Sequence, residues 1–355
     1  MKPGSGDTSP APVAASEEVD TSGPGALSTP FTIGSVTIPN RVVLAPMAGL
    51  TTSAYRRHLR AHGAGLVTTE MVSAYGLCHG NKRTHDYLHF LEEERPIAVQ
   101  LFGDVPEVMA EAARLVLSQE RVRGAAVPDL LDINMGCPVR KVMRTGAGAA
   151  LLAEPDRAVA VAAAVVEAAG AHGVPVTVKL RSGLQEGERT AVELALRLEG
   201  VGVAAIGVHP RAAVQHYRGL ADHTVTAEVV QAVGIPVIAS GDVMSVSAAH
   251  EIREATGATA VMVARGVAGD PWLVDGLLAG APRPRPALPG VIAELRALLA
   301  LAIEEMGPQR AVKWMWRPVG WYLRPSRVAP ATIERVRRAA DGDALDKVLA
   351  ALCGG

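Results

Sequence analysis

The chain has 355 residues, 49% of them apolar and 3% aromatic, and a formal net charge of −1. That length exceeds one minimal domain and suits a barrel of about 250 residues with an appendage, its core built from small and branched side chains. Near-neutral charge excludes a generically basic nucleic-acid binder, so any RNA contact has to use a local patch.

Residues 1–28 are rich in Gly, Pro, Ser, Ala and Thr. Such a segment buries too little surface to offset chain entropy and is expected to be disordered. Phe31 to Pro39 reads as a short hairpin ahead of a barrel. Eight short β-branched runs then recur at intervals of roughly 30 residues, the cadence of a parallel βα barrel. They begin at Arg41, Gly65, Ile97, Leu130, Val176, Ala205, Pro236 and Ala260. A doubly wound open sheet has the same local grammar, but the count of eight and the lack of a Gly-x-Gly-x-x-Gly turn after the first run favour the barrel. The fold expected is therefore a (β/α)8 TIM barrel over residues 29–280. The Pro-rich stretch from Ala281 is a linker over 281–290, and 291–355 form a small all-α C-terminal domain. From Ala281 onward there are twelve Lys and Arg against seven Asp and Glu. That local excess suits a polyanion, though a solvated helical surface explains it equally well.

The three cysteines, Cys78, Cys137 and Cys353, share no Cys-x-x-Cys spacing. Neither a zinc site nor a disulfide framework is expected, and a reducing cytoplasm fits. Nowhere do about 18 apolar residues run uninterrupted, so no membrane span is expected. No secretory signal pattern is expected either.

A barrel of this kind carries its chemistry where its strands end. Those ends read Pro46-Met47-Ala48, Thr69-Glu70, Gln100, Asn134-Met135-Gly136-Cys137-Pro138, Lys179-Leu180-Arg181, His209-Pro210-Arg211, Ser240-Gly241-Asp242 and Ala264-Arg265-Gly266. Cys137 lies in a Gly- and Pro-framed turn. A free thiol with a pKa near 8.5 is protonated at neutral pH and can deliver a proton; the alternative is a buried inert cysteine, the reading preferred for Cys78 and Cys353. Lys179 closes an otherwise apolar strand, either as a cation for the site or as a snorkelling surface lysine. Loops after the seventh and eighth strands commonly form a phosphate site, where Gly241 lets the backbone approach and Arg265 offers a charge-assisted contact. Ordinary turn glycines are the alternative. Asn134 can present both donor and acceptor to an imide. Lys141, Arg181 and Arg211 are read as rim cations for RNA phosphates, or as partners in rim salt bridges.

In the order Ala45-Pro46-Met47-Ala48-Gly49, Thr69-Glu70-Met71, Asp132-Ile133-Asn134-Met135-Gly136-Cys137-Pro138, Val178-Lys179-Leu180-Arg181, Ser240-Gly241-Asp242 and Ala264-Arg265-Gly266, the chain resembles the bacterial FMN-dependent tRNA dihydrouridine synthase family. The resemblance spans about residues 36–275 and echoes weakly at Gly320-Trp321-Tyr322-Leu323. It implies FMN and NADPH as cofactors and tRNA as partner, with tRNA bound by the helical domain 291–355, and no metal is expected. It assigns Cys137 the protonation of uracil C5 after hydride reaches C6. It sets Lys179 against the flavin N1–C2=O edge, with Gln100 on the pyrimidine edge and His209 beside it. Pro46, Met47 and Ala48 would support the isoalloxazine, while Ser240, Gly241, Asp242, Ala264 and Arg265 would take the phosphate. The chain departs from the family pattern at Ser240 (usually Asn), Ala264 (usually Gly), Pro210 (usually Gly) and Trp316-Arg317-Pro318 (usually Arg-Lys-His). Two rival readings remain. One is an FMN barrel reductase of a small molecule, dihydroorotate dehydrogenase-like or enoate reductase-like. The other is a non-catalytic RNA-binding module. Trp314, Trp316 and Trp321 suit helix packing as well as base stacking.

Overall fold

The computed structural model describes residues 26–118 and 127–352. Most of the segment expected to be disordered therefore lies outside the described residues, as does Cys353. Leu27 is already buried, and its carbonyl accepts from Arg41 N.

Strands β1 (Phe31–Ile33) and β2 (Val36–Ile38) pair antiparallel as the expected hairpin. Its turn uses Gly34 at φ 55°, and a Cβ there would lie 2.8 Å from Pro175 Cγ, so both conformation and space require glycine. The barrel follows: β3 (Val42–Leu44), β4 (Val67–Thr68), β5 (Val72–Ser73), β6 (Ile97–Phe102), β7 (Leu130–Met135), β8 (Val176–Arg181), β9 (Ala205–His209), β10 (Val237–Ser240) and β11 (Ala260–Val263). The parallel order is β3-β11-β10-β9-β8-β7-β6-β4, with β5 extending the edge of β6. A parallel bridge between Val43 and Leu66 closes the ring. All eight expected barrel strands are present.

Side chains alternate between the barrel interior and the surrounding helices with the period of two that strands impose. Val99, Leu101, Leu131, Ile133, Val178, Leu180, Ile206 and Val208 belong to the large core shared with the helices. Val43, Ala98, Leu130, Ala205, Ile238 and Ala260 form the inner floor, and the hairpin side chains Phe31, Ile33 and Ile38 pack into the same cluster. Toward the C-terminal ends the inward series turns polar. On β7 it runs Leu130, Asp132, Asn134; on β8 it runs Thr177, Lys179, Arg181. Strand register sets Gln100 beside Asp132 and Asp132 beside Thr177, then Asn134 beside Lys179 and Lys179 beside Gly207, then Arg181 beside His209.

The Pro-rich stretch is non-helical up to residue 287, and helices Leu288–Met306, Pro308–Leu323, Pro330–Arg337 and Gly342–Ala351 follow. Their buried faces, including Leu295, Leu299, Met315, Tyr322 and Leu345, belong to the same apolar cluster as the barrel helices. Polar ties reinforce this. Thr52 gives helix Ser53–Ala61 no side-chain cap; instead the Glu305 carboxylate accepts from Ser53 N (3.2 Å) and Ala54 N (2.6 Å), satisfying orphan donors at the positive end of the helix. No helix among the described residues is long and apolar enough to cross a membrane.

Candidate active site

Above the apolar floor, a chain of hydrogen bonds crosses the barrel interior. The Asp132 carboxylate accepts from Thr177 Oγ1 at 2.5 Å and from Gln100 Nε2 at 2.6 Å. Gln100 Oε1 accepts from Asn134 Nδ2 at 2.9 Å. Asn134 Oδ1 then accepts from the backbone N–H groups of Cys137 (2.9 Å) and Gly136 (3.2 Å). Each amide is thus oriented by its neighbours, and the Cys137 turn is anchored to the barrel interior. Burial pushes the Asp132 carboxyl up to about 6, against the opposing pull of Thr177, Gln100 and Lys179.

The Cys137 turn is fixed from its other side too. Ala149 N donates to Cys137 O at 3.0 Å. Gly148, at φ 64°, lets the chain pass where a Cβ would meet Cys137 O at 2.8 Å. Burial raises the pKa of the half-buried thiol, with the Val139 N–H, Arg181 and Lys179 pulling the other way. At neutral pH the thiol therefore holds its proton.

Lys179 is the unusual member of this layer. Burial, and then Arg181, lower its ammonium to about 8, while Asp132 and Cys137 oppose the shift. Among the described residues no group hydrogen-bonds or ion-pairs with it. Gly207, its cross-strand neighbour, leaves space beside it: a Cβ there would sit 3.5 Å from Lys179 Cγ. The half-buried ammonium feels the Asp132 carboxylate only through space, without a direct ion pair, so a further anion arriving at the mouth would be favoured. His209 lies next in the ring. Burial first, then Lys179, Arg181, Arg211 and Arg265, drive its pKa down to about 2, so the imidazole is neutral. Arg211 Nη1 lies 3.1 Å from His209 Nε2. A guanidinium can only donate, so Nε2 accepts and Nδ1 carries the proton.

At the ends of β10 and β11 the backbone is shaped for close approach. Gly241 takes φ 110°, and a Cβ there would lie 3.0 Å from the His209 ring. Asp242, at φ 56°, accepts from Arg211 at 2.7 and 2.8 Å, from Ala221 N at 2.8 Å and from Arg265 at 3.3 Å. Burial raises its pKa, but the Arg211 bond, the Ala221 bond and the charges of Arg211 and Arg265 outweigh this and hold it below the usual range. Arg265, about half exposed, opens a short 3-10 turn over the ring of Tyr217, 5.1 Å from its centroid. Ser240 is buried at the end of β10, and Ala264, at φ −138° and ψ −95°, leads into the turn that carries Arg265. On the opposite rim, the turn Pro46-Met47-Ala48 is tied by Thr51 Oγ1 to both backbone groups of Met47, and Gly49 N donates to Glu70 at 2.6 Å.

The structure thus gathers Gln100, Asn134, Cys137, Lys179, His209, Ser240, Gly241, Asp242, Ala264 and Arg265 around one barrel mouth, with Pro46, Met47 and Ala48 on its rim. Two of the rim cations are misplaced by the sequence reading. Arg181 and Arg211 are each 2% exposed. Arg181 donates to the carbonyls of Gly136, Ala212 and His216, and Arg211 to those of Arg218 and Gly219 as well as to Asp242. Both hold the loop after β9 in place and do not lie on the rim. Lys141 is exposed, on the short helix Arg140–Met143. Sequence reasoning missed Asp132, whose signal was an acid inside an apolar strand, and Tyr217, an exposed aromatic between two arginines, for which the sequence carried no signal.

A cavity of about 960 Å3 lies beside the mouth, where the barrel rim meets the C-terminal helices; its lining includes Gly49, Glu70, Lys82, His85, Arg310 and Lys313. It shares the Gly49–Glu70 contact with the mouth but not Cys137 or Lys179.

The family model described as Dihydrouridine synthase (Dus) matches residues 43–350. The tRNA-dihydrouridine synthase B of Pseudomonas aeruginosa is 37% identical over 295 residues, 82% of this chain and 86% of that protein. A probable tRNA-dihydrouridine synthase of Rhizobium leguminosarum bv. phaseoli is 38% identical over 296 residues, covering 83% of this chain and 88% of its own length. Among solved structures, a morphinone reductase mutant in complex with tetrahydroNAD superposes with a TM-score of 0.52 at 16% identity, over 74% of this chain and 93% of that one. A 2-naphthoyl-CoA reductase complex gives 0.54 at 13% identity, over 72% and 52%. At such identities these two likenesses describe the barrel alone. With its mouth chemistry and its match along nearly the whole described chain, this protein belongs to the dihydrouridine synthase family.

Proposed function

We propose that the chain reduces the C5–C6 double bond of a D-loop uridine in tRNA, with FMN as its cofactor, NADPH as the reductant and Cys137 as the proton donor. The observation that carries this reading is the pairing, in one barrel mouth, of a half-buried cation with no direct hydrogen-bond or ion-pair partner among the described residues, Lys179, with a protonated thiol, Cys137. The residues fit FMN: Lys179 offers the charge that an anionic reduced isoalloxazine requires, and Gly241 and Ala264 leave backbone open to a phosphate beside the half-free Arg265. Pro46, Met47, Ala48 and Ser240 would pack against the group, with Gln100 and His209 near its pyrimidine edge. Asp242 acts through Arg211 and Arg265, which it orients. When bound, FMN supplies the hydride.

The protein's own residues do the rest. Cys137 holds a proton at Sγ, and the thiolate left after its transfer is stabilised by Lys179 and Arg181, both of which favour that form. Asn134 spends Oδ1 on the Cys137 turn and its Nδ2 on Gln100 Oε1 at 2.9 Å and Met71 Sδ at 3.3 Å, so it positions the acid; the weak sulfur contact is the one a uracil carbonyl would replace. Neutral His209 is a donor through Nδ1. The basic tail, with Lys82, Arg310 and Lys313 reaching the adjacent cavity, supports a polyanionic substrate. The cytoplasm, where tRNA is modified, is the proposed place of action.

Incubation of the purified protein with NADPH and tRNA lacking dihydrouridine, followed by mapping of dihydrouridine at each nucleotide, tests this. The expected result is a signal at a D-loop uridine. A yellow protein that oxidises NADPH and leaves the tRNA unchanged contradicts it and favours a small-molecule reductase.

A further inference from the structure

Away from the mouth, on the side where the barrel meets the C-terminal helices, two histidines and two carboxylates converge. His58 and His62 lie four residues apart at the end of helix Ser53–Ala61, so they share one face, and their ring centroids are 5.4 Å apart. Glu294, on helix Leu288–Met306, points one oxygen at both. Its Oε1 lies 3.5 Å from His58 Nδ1 and 3.0 Å from His62 Nε2. The three candidate ligand atoms all lie within 4.8 Å of one another. Around a tetrahedral zinc with bonds of about 2.0–2.1 Å, ligand atoms are roughly 3.3 Å apart. Small side-chain adjustments therefore bring all three onto one ion.

The second observation concerns the far side of each ring. His62 Nδ1 is 2.7 Å from Asp275 Oδ2, and His58 Nε2 is 2.9 Å from the Tyr322 hydroxyl. Metal-binding histidines characteristically use one nitrogen for the ion and fix the other on an outer oxygen, usually a carboxylate. With Nδ1–H of His62 given to Asp275, its Nε2 lone pair faces a carboxylate oxygen. Two acceptors at 3.0 Å need a cation between them, either a proton or a metal ion. The two carboxylates, Glu294 and Asp275, match the charge of a divalent ion, and a set of two imidazoles and a carboxylate suits zinc.

We propose that His58, His62 and Glu294 bind one zinc ion, with Asp275 and Tyr322 orienting the two histidines. The ion ties the helix after β3 to the C-terminal helices and so fixes the wall of the adjacent cavity. It has no part in the reduction, and the proposal stands apart from that reading. This proposal departs from the sequence reading, which expected no metal; that reading rested on cysteine spacing, whereas these ligands are imidazole and carboxylate. His62 and Glu294 are separated by 232 residues.

The test uses the full-length protein, stripped with a chelator and then given Zn2+ alone, with metal content measured after gel filtration and Tm measured in parallel. One zinc per chain and a raised Tm are expected. His62→Ala and the nearly isosteric Glu294→Gln should each lose that equivalent and the Tm increment while keeping their flavin. Tyr322→Phe should keep the zinc with about 10–100-fold weaker affinity. Substoichiometric zinc in the wild type overturns the proposal, as does an unchanged Tm, which would leave the junction held by a protonated His62. Undiminished zinc in Glu294→Gln overturns it as well, and that variant decides the matter if His62→Ala does not fold.

Discussion

The barrel mouth and the junction with the C-terminal helices handle buried charge in opposite ways. On helix Ser53–Ala61, which packs against the C-terminal helices, a deep charge meets its counterpart: Glu94, fully buried, accepts from Arg56 Nε at 2.6 Å and from Ser53 Oγ at 2.5 Å. At the mouth, Lys179 has no direct ion pair, only the through-space pull of Asp132, beside a neutral histidine and a protonated thiol. A satisfied network specifies how two units pack, whereas an unsatisfied cation stores free energy that an anionic ligand recovers.

The largest expected effect is at the satisfied pair. Glu94→Ala leaves Arg56 buried without its carboxylate and should cost about 3–5 kcal/mol of stability, read by chemical denaturation, with the cofactor affinity of the folded fraction unchanged. Deleting the helices from Leu288 onward is a poorer probe, because their buried faces are part of the barrel's own apolar cluster. At the mouth, Lys179→Met should do the reverse. Reduction should slow by about 10²–10³-fold, the cost of removing one preorganised electrostatic contact, with no loss of stability.

The same lysine makes a pH prediction. Its pKa is lowered in the fold, from 10.5 to about 8, so between those values the unfolded chain binds more protons and stability rises with pH. Below about 8 the folded state bears the cost of the buried charge. Cofactor-free wild-type protein should gain stability relative to Lys179→Met as pH rises from about 8 to 10.5; parallel curves for the two proteins would contradict the assignment. The smallest effect is expected on the cavity wall. Lys313→Ala, at an exposed position, should weaken tRNA binding several-fold and reduce the salt dependence by about one phosphate contact, leaving NADPH oxidation intact.

How much of this was legible in the sequence follows from the same comparison. Parallel topology brings consecutive strand ends together, so Gln100, Asn134, Cys137, Lys179, His209 and Arg265 stand out as polar groups just past apolar runs. Hydrophobic periodicity likewise revealed all eight barrel strands. Arg181 and Arg211 were misread because a strand-end arginine looks the same whether it faces solvent or folds back onto loop carbonyls; only the path of the loop after β9 decides. Asp132 was overlooked inside an apolar strand, where the inward direction set by its register makes it the centre of the hydrogen-bond chain. The junction was illegible for a different reason. Glu305 caps a helix 252 residues earlier in the chain, and Glu294 reaches His62 across 232. No local pattern records such pairings.

The central claim is that the mouth separates hydride supply from proton supply and that Cys137 provides the proton. Cys137→Ala tests it most directly, with flavin content, NADPH oxidation and dihydrouridine formation measured on one preparation. The account predicts unchanged flavin and unchanged reduction by NADPH, with dihydrouridine formation lowered by about 10²–10⁴-fold, the range for loss of a positioned general acid. Dihydrouridine formed at the wild-type rate would contradict it.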